Sequence, residues 1–568
     1  MSDFDRDVIV IGSGFGGSVS AMRLSEKGYK VTVLERGPRW QARDFPKTNW
    51  NLPKAIWLPA VKFFGILRLS FLSDVFVLSG AGVGGGSLVY ANTLYVPPDA
   101  FFNAAQWASL DDWKRALMPH YRVAQFMLGV AQSDYEGPAD RALRDVADSM
   151  GRGETFIHTP VGVFLGAPNE TVADPYFNGA GPERTGCNHC GACMVGCRFG
   201  AKNTLDRNYL YFAEKLGAEV MPLRTVTDVR ALPGGGYAVT HERTGAWFAR
   251  DTQVLTAAKV VLSAGVLGTV KLLLECKDRG SLPNVSDAVG RLVRTNSEAI
   301  LGVAADNPSE TWARGVAITS SMHPDEHTHV EVVRYGEGSD ALVPLTTPLT
   351  DGGPGAPRWL RWLGNIARHP VDWLRSLWPF GWSKRGTFLL VMQTLDNSIS
   401  LGLRRSWRSL WRRALDTDRG DGAPNPSYIP LANEVARVFA GKVGGRASSS
   451  IMEALFDTPT TAHILGGASI GASPSAGVID ANNEVFGHAG LYVCDGSMIP
   501  ANLGVNPSLT ITALTERAMS RIAPKEGAAV RHAVDPDFQA KRVAEIEALA
   551  VETGSASLQR RLPVVKSG

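Results

Sequence analysis

Residues 7–35, DVIVIGSGFGGSVSAMRLSEKGYKVTVLE, decide the fold of this chain. The apolar run at 8–11 is typical of a buried strand, and a glycine-rich turn follows it. The pattern then has helical spacing as far as Gly28, and a second apolar run at 31–34 ends in Glu35. This order of strand, glycine turn, helix, strand and acidic residue predicts a Rossmann-like dinucleotide-binding unit.

Each glycine of that turn has a separate physical reason. Gly12 permits the tight turn, Gly14 lets the backbone approach a pyrophosphate, and Gly17 lets the helix lie close to the strand. The free N–H groups at the helix N-terminus favour phosphate oxygens. Glu35 is placed to accept hydrogen bonds from an adenosine ribose. A glycine turn that binds no nucleotide is the alternative.

Length and composition limit the remaining possibilities. A chain of 568 residues predicts two or three compact units. Its net charge of +3 gives no reason to expect a nucleic-acid partner. No run of 18 uninterrupted apolar residues appears, and the N-terminal segment does not resemble a signal peptide. We therefore expect a cytoplasmic protein, with peripheral binding at the inner face of the membrane as an extension of that expectation.

A second glycine-rich loop, Gly80 to Ser87, follows about 70 residues after the first. Eight residues so rich in glycine suit neither a helix nor a strand, but they suit a backbone pressed flat against a planar group. This spacing favours a flavin over a nicotinamide. A flexible linker is the alternative.

Four segments together resemble the glucose–methanol–choline (GMC) flavin oxidoreductases, and within them the actinobacterial cholesterol oxidase-type branch. They are the Gly12 turn, 82–92, 257–274 with its Ser263-Ala264-Gly265 turn, and Asn502-Leu-Gly-Val-Asn506-Pro507. The resemblance extends from about residue 7 to residue 521. It implies an α/β fold, in which a Rossmann-like FAD-binding domain is joined to a substrate domain built on a mixed or antiparallel sheet.

The resemblance also implies a domain order. Residues 1–285 form the FAD-binding domain, with a cysteine-rich segment at 185–200, and 286–460 form the substrate domain with an insertion at 351–413. Residues 461–523 return to the FAD-binding domain with the catalytic motif. A tail follows at 524–568, in which 538–551 is expected to be a surface helix and 554–568 disordered.

The cofactor implied by the resemblance is FAD. In the family, the residue matching Val226 contacts the adenine, while Asp495 and Gly496 hold the ribityl or phosphate portion. A helix opening at Ser508 faces the flavin pyrimidine ring. The residues implied to bind FAD are Gly12, Gly14, Gly17, Glu35, Gly85, Gly86, Tyr90, Asn92, Val226, Ala264, Gly265, Asp495, Gly496, Asn506 and Ser508.

His463 and Asn506 are the catalytic residues that the resemblance implies. A lone histidine is more often a hydrogen-bonded structural group, but His463 lies in the matching Thr461-Ala-His-Ile-Leu-Gly-Gly motif. It would accept the proton of a substrate hydroxyl, to which Asn506 donates a hydrogen bond, while the carbinol hydride passes to flavin N5.

The implied reaction is oxidation of a secondary alcohol on a bulky apolar molecule, a 3β-hydroxysteroid converted to its ketone. The electron acceptor is O2, a redox protein or a quinone. A FAD and iron–sulfur dehydrogenase of a terpenoid or allylic alcohol is one alternative, and a membrane-peripheral electron-transfer flavoprotein is another. Cholesterol oxidases also use a glutamate for steroid isomerisation, at a position where our alignment places Arg385. Glu331 is the candidate substitute.

Cys187, Cys190, Cys193 and Cys197 form a compact cluster in a chain with six cysteines. Their spacing matches the ferredoxin pattern better than the two separate knuckles of a zinc ribbon. It predicts an iron–sulfur cluster, with zinc and metal-free thiols or disulfides as alternatives. Such a cluster departs from the pattern of the well-known cholesterol oxidases and would carry electrons to an acceptor other than oxygen.

Two aromatic segments carry less specific signals. We interpret the aromatic residues between 44 and 73 as core, with a mouth for an apolar substrate as the alternative. Within 351–413, tryptophan and arginine alternate at helical spacing, which suits a helix at a membrane surface or a lid over the active site. The residues of this second segment are Trp359, Trp362, Trp373, Trp378, Trp382, Trp407 and Trp411 with Arg358, Arg361, Arg368, Arg375, Arg405, Arg408 and Arg412.

Overall fold

The structure, a computed structural model, describes residues 4–406, 409, 411–420 and 422–552. The segment expected to be disordered, 554–568, lies outside the described residues, as do Trp407 and Arg408 of the aromatic and basic insertion.

The predicted nucleotide-binding unit is present and forms the centre of a large sheet. Strand Arg6–Ile11 pairs in parallel with Val31–Leu34 on one side and with Gln253–Leu262 on the other. All of Val31–Leu34 is buried, as continuous apolar runs require in a parallel sheet covered on both faces. In spatial order the strands are Glu219–Met221, Val31–Leu34, Arg6–Ile11, Gln253–Leu262, Tyr237–Arg243 and Arg224–Ala231, with Leu491–Val493 also paired to Gln253–Leu262.

Close packing explains two glycines of the first turn. Gly12 has φ of +99°, and a Cβ there would lie 2.2 Å from the carbonyl oxygen of Ser263. A Cβ on Gly17 would lie 2.0 Å from the carbonyl oxygen of Gly12. A side chain at Gly12 would collide with the backbone after the strand Gln253–Leu262, and one at Gly17 would force the helix Phe15–Glu26 away from the first turn.

The second sheet is antiparallel throughout and belongs to the predicted substrate domain. Its spatial order is Thr346–Pro348, Gly445–Ser450, Ala299–Ala305, Gly386–Gln393, Thr328–Val333, Ile318–Met322 and Ile157–His158. The last strand comes from the part of the chain before residue 285. Conversely, the hairpin Ile399–Arg405 with Arg413–Arg419 contributes Ile399 and Leu401 to the core of the nucleotide-binding unit.

Helices cover both sheets. Ser508–Ser520 packs between Phe15–Glu26 and Trp113–Met127, and Arg23 makes a two-point ion pair with Glu516 across the first of these contacts. The α-helices are Phe15–Glu26, Leu52–Ala55, Asp99–Phe102, Trp113–Met127, Pro138–Ser149, Tyr209–Lys215, Val266–Asp278, Arg358–Arg368, Pro370–Ser376, Pro430–Lys442, Ile451–Phe456, Ser508–Ser520 and Pro536–Glu552. Among the described residues, no helix is both long and apolar enough to span a bilayer.

The aromatic residues between 44 and 73 are not simply core, so that interpretation is wrong in part. Trp57 is buried, but Trp50 and Phe71 are exposed. The same segment forms the short hairpin Trp57–Leu58 with Phe63–Phe64 and the strand Leu67–Phe71. Leu67 and Leu69, which are half-buried, line a cavity. The alternative, a mouth for an apolar substrate, stays a prediction.

Candidate active site

A cavity of about 660 Å³ lies between the two sheets, and most of the predicted site residues meet there. Gly17 and Asn92 do not line it. Gly17 lies against Gly12, and the buried side chain of Asn92 faces the Cys193 thiol. The predicted residues that line the cavity are Gly12, Gly14, Glu35, Gly85, Gly86, Tyr90, Val226, Ala264, Gly265, His463, Asp495, Gly496, Asn506 and Ser508.

One end of the cavity fits a dinucleotide. A Cβ on Gly14 would have only the Gly85 Cα, at 4.0 Å, near it, and one on Gly265 would have nothing within 4 Å. The helix Phe15–Glu26 has no side-chain cap, so its first N–H groups remain free for phosphate oxygens. The buried Glu35 carboxylate accepts bonds from the backbone N–H of Ser13 at 3.0 Å and of Gly37 at 2.8 Å, which fixes its position at the cavity wall.

The opposite wall is apolar. It combines side chains of the segment 52–78, of the turn Cys193–Val195, of the second sheet and of the loop before Thr346–Pro348. The apolar lining residues are Leu52, Ala55, Ile56, Ile66, Leu67, Leu69, Leu78, Met194, Val195, Ile318, Val333, Leu342, Leu345 and Leu390. A cavity wall with this many apolar side chains suits a bulky hydrocarbon ligand, which would gain about 25 cal/mol per Å² of apolar surface buried.

A polar cluster interrupts this apolar wall at His463. Its Nδ1 bonds to Glu298 Oε1, and the other Glu298 oxygen accepts the backbone N–H of Ala462 at 2.7 Å. Its Nε2 lies 3.4 Å from Asn506 Nδ2, which also donates to Glu331 Oε2 at 3.3 Å. Because Nδ1 is held by a carboxylate, Nε2 is the nitrogen directed to the cavity.

Two ionisable groups of this cluster, His463 and Glu331, have raised pKa values for different reasons. Burial lowers the pKa of His463, but the charge and hydrogen bond of Glu298, together with the charge of Glu331, outweigh it, so the pKa of His463 is raised above its ordinary value. Burial raises the pKa of Glu331 to about 8, against the opposing effects of His463 and Asn506. A proton on His463 therefore favours the ionised form of Glu331.

The structure also places the residues considered for the isomerisation glutamate. Arg385 does not line the cavity, and its carbonyl accepts the Ala305 N–H where two central strands of the second sheet end. Glu331 lies in the neighbouring strand, directly opposite Leu390, and reaches Asn506. A carboxylate thus approaches the site from Thr328–Val333 rather than from Gly386–Gln393.

Glu298 is a site residue that the sequence analysis missed. It ends a run of polar residues, 294–298, between apolar Val293 and Ala299. All five of these side chains are buried. Since buried polar runs are uncommon outside sites, this run was the available signal.

The four clustered cysteines lie around a second, much smaller cavity and have free thiols. Lys202 is buried beside them and donates to the carbonyls of Tyr90 and Cys193. Among the described residues, no three or more His, Cys, Asp or Glu side chains are arranged as ligands of a metal ion. The predicted iron–sulfur cluster therefore receives no support from this geometry.

Comparison with known sequences identifies the family. The profile described as GMC oxidoreductase matches residues 412–515 and 180–277, and that of an NAD(P)-binding Rossmann-like domain matches residues 10–48. A cholesterol oxidase of Mycobacterium tuberculosis (strain ATCC 25618 / H37Rv) is 51% identical over 534 residues, covering 92% of each chain. One from Acinetobacter baumannii is 46% identical, covering 92% of this chain and 96% of its own.

The chain belongs to the GMC oxidoreductase family. As a member it is an alcohol oxidoreductase, and the family implies FAD as its cofactor. The fold agrees, since pyridoxine 4-oxidase from Mesorbium loti superimposes with a TM-score of 0.60 at 15% identity, covering 91% of this chain and 99% of its own. The predicted fold class is confirmed.

Proposed function

We propose that this enzyme oxidises the 3β-hydroxyl of a sterol to the ketone with FAD and passes the electrons to O2, forming hydrogen peroxide. The observation that carries the proposal is the polar cluster of His463, Asn506 and Glu331 beside the apolar wall of the cavity. Relatives named cholesterol oxidase support the same substrate and acceptor.

The chain's own residues divide the work of alcohol oxidation. His463 Nε2 accepts the hydroxyl proton, while Glu298 fixes the imidazole through Nδ1 and stabilises the cation that forms. The side-chain amide of Asn506 orients the hydroxyl beside the imidazole. Bound FAD supplies the hydride acceptor. The apolar wall holds the steroid body and excludes water.

Glu331 supports a second step, movement of the steroid double bond into conjugation with the new ketone. Its buried carboxylate is tied to Asn506, and protonated His463 favours its ionised form. In this step Glu331 takes a proton from one ring carbon and returns it to another, so no net proton is consumed. Isomerisation would therefore follow oxidation in the same cavity.

An anaerobic substrate screen tests the proposal. Cholesterol should bleach the yellow FAD absorbance within seconds and yield a ketone, whereas terpenoid and allylic alcohols should bleach it more slowly. Faster bleaching by a terpenoid alcohol would favour the alternative substrate class. An absence of bleaching by all these alcohols, with FAD present, would favour an electron-transfer role instead.

Glu298→Gln should move the pH dependence of FAD bleaching to lower pH. The neutral amide removes the charge that raises the pKa of His463 and leaves the burial that lowers it. The rate should still rise with pH, since the base must be neutral, but with its inflection at lower pH than in the wild type. The maximal bleaching rate at high pH should fall by up to about 100-fold, because the His463 imidazole is oriented less well. An unchanged inflection in stopped-flow measurements would contradict the ion pair.

We also propose that the enzyme has a surface that binds the membrane. We call the exposed apolar side chains of Val371, Leu374, Leu377, Trp378 and Phe380 the apolar ridge. Phe380 stacks on Trp50 at 5.3 Å, which connects the ridge to the segment that lines the cavity. Arg358 and Arg361, by contrast, donate to backbone carbonyls, so they are less available to lipid phosphates than the sequence suggested.

The double variant Leu374→Asp with Trp378→Asp should bind phosphatidylcholine–cholesterol vesicles at least about tenfold more weakly, since both side chains lose apolar burial. Its turnover of cholesterol in detergent micelles should stay near normal. Vesicle flotation measures the first result. Val254→Asp, at an exposed apolar position of the nucleotide-binding sheet, is the matched control. Equal flotation of all three proteins would contradict a membrane-facing ridge.

The iron–sulfur hypothesis has its own chemical test. An oxidase that delivers electrons directly to O2 needs no cluster, so anaerobically purified protein should contain FAD at one per chain with iron and acid-labile sulfide well below that. Iron and sulfide in stoichiometric amounts, lost together in Cys190→Ser, would instead establish the cluster and favour a dehydrogenase.

A further inference from the structure

The buried polar run 294–298 is hydrogen-bonded to the chain segment that carries His463. The Thr461 hydroxyl donates to the Thr295 carbonyl at 3.0 Å. Three residues further along the run, the Glu298 carboxylate bonds to His463 Nδ1. These contacts fix the imidazole relative to the run.

The middle residue of the same run, Asn296, is hydrogen-bonded to the segment that precedes Asn506. Its Nδ2 donates to the Val505 carbonyl at 3.0 Å. Its Oδ1 accepts the backbone N–H of Leu503 at 3.0 Å and of Gly504 at 2.8 Å. The side chain is fully buried, so no water competes for these three bonds. They fix the backbone up to the residue directly before Asn506.

Asn502, at the start of that segment, returns the contact. Its Oδ1 accepts the Asn296 N–H at 2.9 Å, while its Nδ2 donates to the Leu395 carbonyl at 2.7 Å and to Asn397 Oδ1 at 3.0 Å. The Asn296 carbonyl in turn accepts the Gln393 N–H at 2.9 Å. The two asparagines therefore join the polar run and the segment 502–505 to the end of the strand Gly386–Gln393.

The backbone of the polar run is strained at this place. Asn296 has φ of +61° and Ser297 has φ of +47°, in the left-handed region that residues with a side chain rarely adopt. Asparagine tolerates this conformation better than most residues, but serine does not. The bend lies between the side chain that holds 503–505 and Glu298, which holds His463. Strain of this kind persists where the surroundings enforce it, and it clusters at functional sites.

The side chain of Asn506 is held only weakly by its own contacts. Its Nδ2 lies 3.3 Å from Glu331 Oε2 and 3.4 Å from His463 Nε2, and both are long for hydrogen bonds. Its Oδ1 makes no hydrogen bond to a described residue. The position of this amide therefore depends on the backbone that carries it.

We propose that Asn296 is a positioning residue, whose side chain fixes 503–505 so that the Asn506 amide lies beside His463 Nε2 and orients the substrate hydroxyl. Asn296 does not itself line the cavity, so it acts through Asn506. The inference rests on the proposed function, which gives Asn506 its part in alcohol oxidation. A displacement of about 1 Å of a group that orients the substrate can lower the rate about 100-fold.

Asn296→Gly tests the position of the amide. Glycine removes the three side-chain bonds and adopts the left-handed backbone without strain. In the FAD-loaded enzyme, the rate of anaerobic flavin bleaching at saturating cholesterol should fall by about 10- to 100-fold. The dissociation constant of the sterol should change by less than about threefold, because the apolar wall that buries it is unchanged.

A double-mutant cycle with Asn506→Ala separates positioning from a general loss of stability. Asn506→Ala removes the group on which Asn296 acts, so adding Asn296→Gly should lower the bleaching rate by less than about threefold more. Asn296→Asp keeps an oxygen for the N–H groups of Leu503 and Gly504, and it should lose less than Asn296→Gly. It also carries the same cycle if Asn296→Gly does not fold.

Asn483→Gly is the matched control. Asn483 is also fully buried, has φ of +67°, and donates through Nδ2 to a backbone carbonyl, that of Val493 at 3.0 Å. It does not line the cavity and makes no contact with 503–505 through its side-chain hydrogen bonds. Asn483→Gly should therefore bleach at the wild-type rate per bound FAD.

A wild-type bleaching rate in Asn296→Gly, or losses that multiply fully in the double variant, would overturn the inference. If cholesterol fails to bleach the FAD of the wild-type enzyme, the sterol proposal fails by itself. Crystal structures of the wild type and Asn296→Gly then decide, because Asn506 Nδ2 should move away from His463 Nε2 while the rest of the fold is retained. An amide that stays in its wild-type place would overturn the inference for any substrate.

Discussion

His463→Asn is expected to retain yellow FAD and to lose about two to four orders of magnitude in the rate of flavin bleaching by sterol. At about 1.4 kcal/mol per decade, this is about 3–5.5 kcal/mol of transition-state stabilisation. FAD should remain because its proposed contacts at Gly12, Glu35 and Asp495 are untouched. Sterol affinity should change little, since the apolar wall provides most of the binding.

The measurement is made on one preparation for flavin content, melting temperature and anaerobic bleaching rate. His488→Asn is the matched control, because His488 is also buried but does not line the cavity. A fully flavinylated, stable His463→Asn enzyme with a normal rate would remove His463 as the base. A drop in melting temperature with normal residual rates would give it a structural role.

Glu331→Gln should uncouple oxidation from isomerisation. The amide keeps a hydrogen-bonding group beside Asn506 but cannot take a proton from carbon. Formation of the conjugated 4-en-3-one should therefore fall by about two to four orders of magnitude, while oxidation changes by less than about tenfold. The unconjugated 5-en-3-one should accumulate, and gas chromatography of timed samples measures both ketones.

Glu453→Gln is the control for this prediction. Burial raises the pKa of Glu453 to about 8 as well, but its place in the helix Ile451–Phe456 is outside the cavity. It should leave the ratio of the two ketones unchanged. Conjugated ketone formed by Glu331→Gln at the wild-type rate would show that another group moves the proton.

The sequence predicted the nucleotide-binding end of the site better than the reactive end. Gly12 and Gly17 obey local rules, since a turn and a close helix contact restrict the residue whatever the rest of the chain does. No local pattern of this kind predicts that Glu298 and Glu331 belong to the site. Glu298 lies just before the strand Ala299–Ala305 and bonds to His463, whereas Glu331 lies within Thr328–Val333 and bonds to Asn506. Only the tertiary arrangement of the antiparallel sheet brings the two carboxylates to one site.

The fold class was also predictable from local sequence patterns. Which side chains are exposed on the surface was not. Continuous apolar runs and glycine turns specify a parallel sheet from local sequence alone. The exposure of Trp50 depends on its tertiary neighbour Phe380, more than 300 residues away. Arg358 looked like a solvated cation but is buried against Glu453 and Tyr428. Composition cannot distinguish these cases.

The pairing of the first turn with the end of the chain determines when the enzyme can mature. A Cβ on Gly16 would lie 1.6 Å from the carbonyl oxygen of Cys494, so the two segments are in direct backbone contact. The strand Leu491–Val493 and the helix Ser508–Ser520 complete the floor under this turn. On the ribosome, at about 5–20 residues per second, these segments emerge long after the first turn.

The nascent chain therefore spends most of its synthesis with an unfinished flavin pocket and an exposed parallel sheet edge. Contacts between residues so far apart also form slowly after release. FAD capture should be a late, post-translational event, which ribosome-bound chains stopped before residue 490 would show by failing to retain the flavin. The expression yield of this enzyme then depends on how well the incomplete sheet avoids aggregation until the strand Leu491–Val493 has been synthesised.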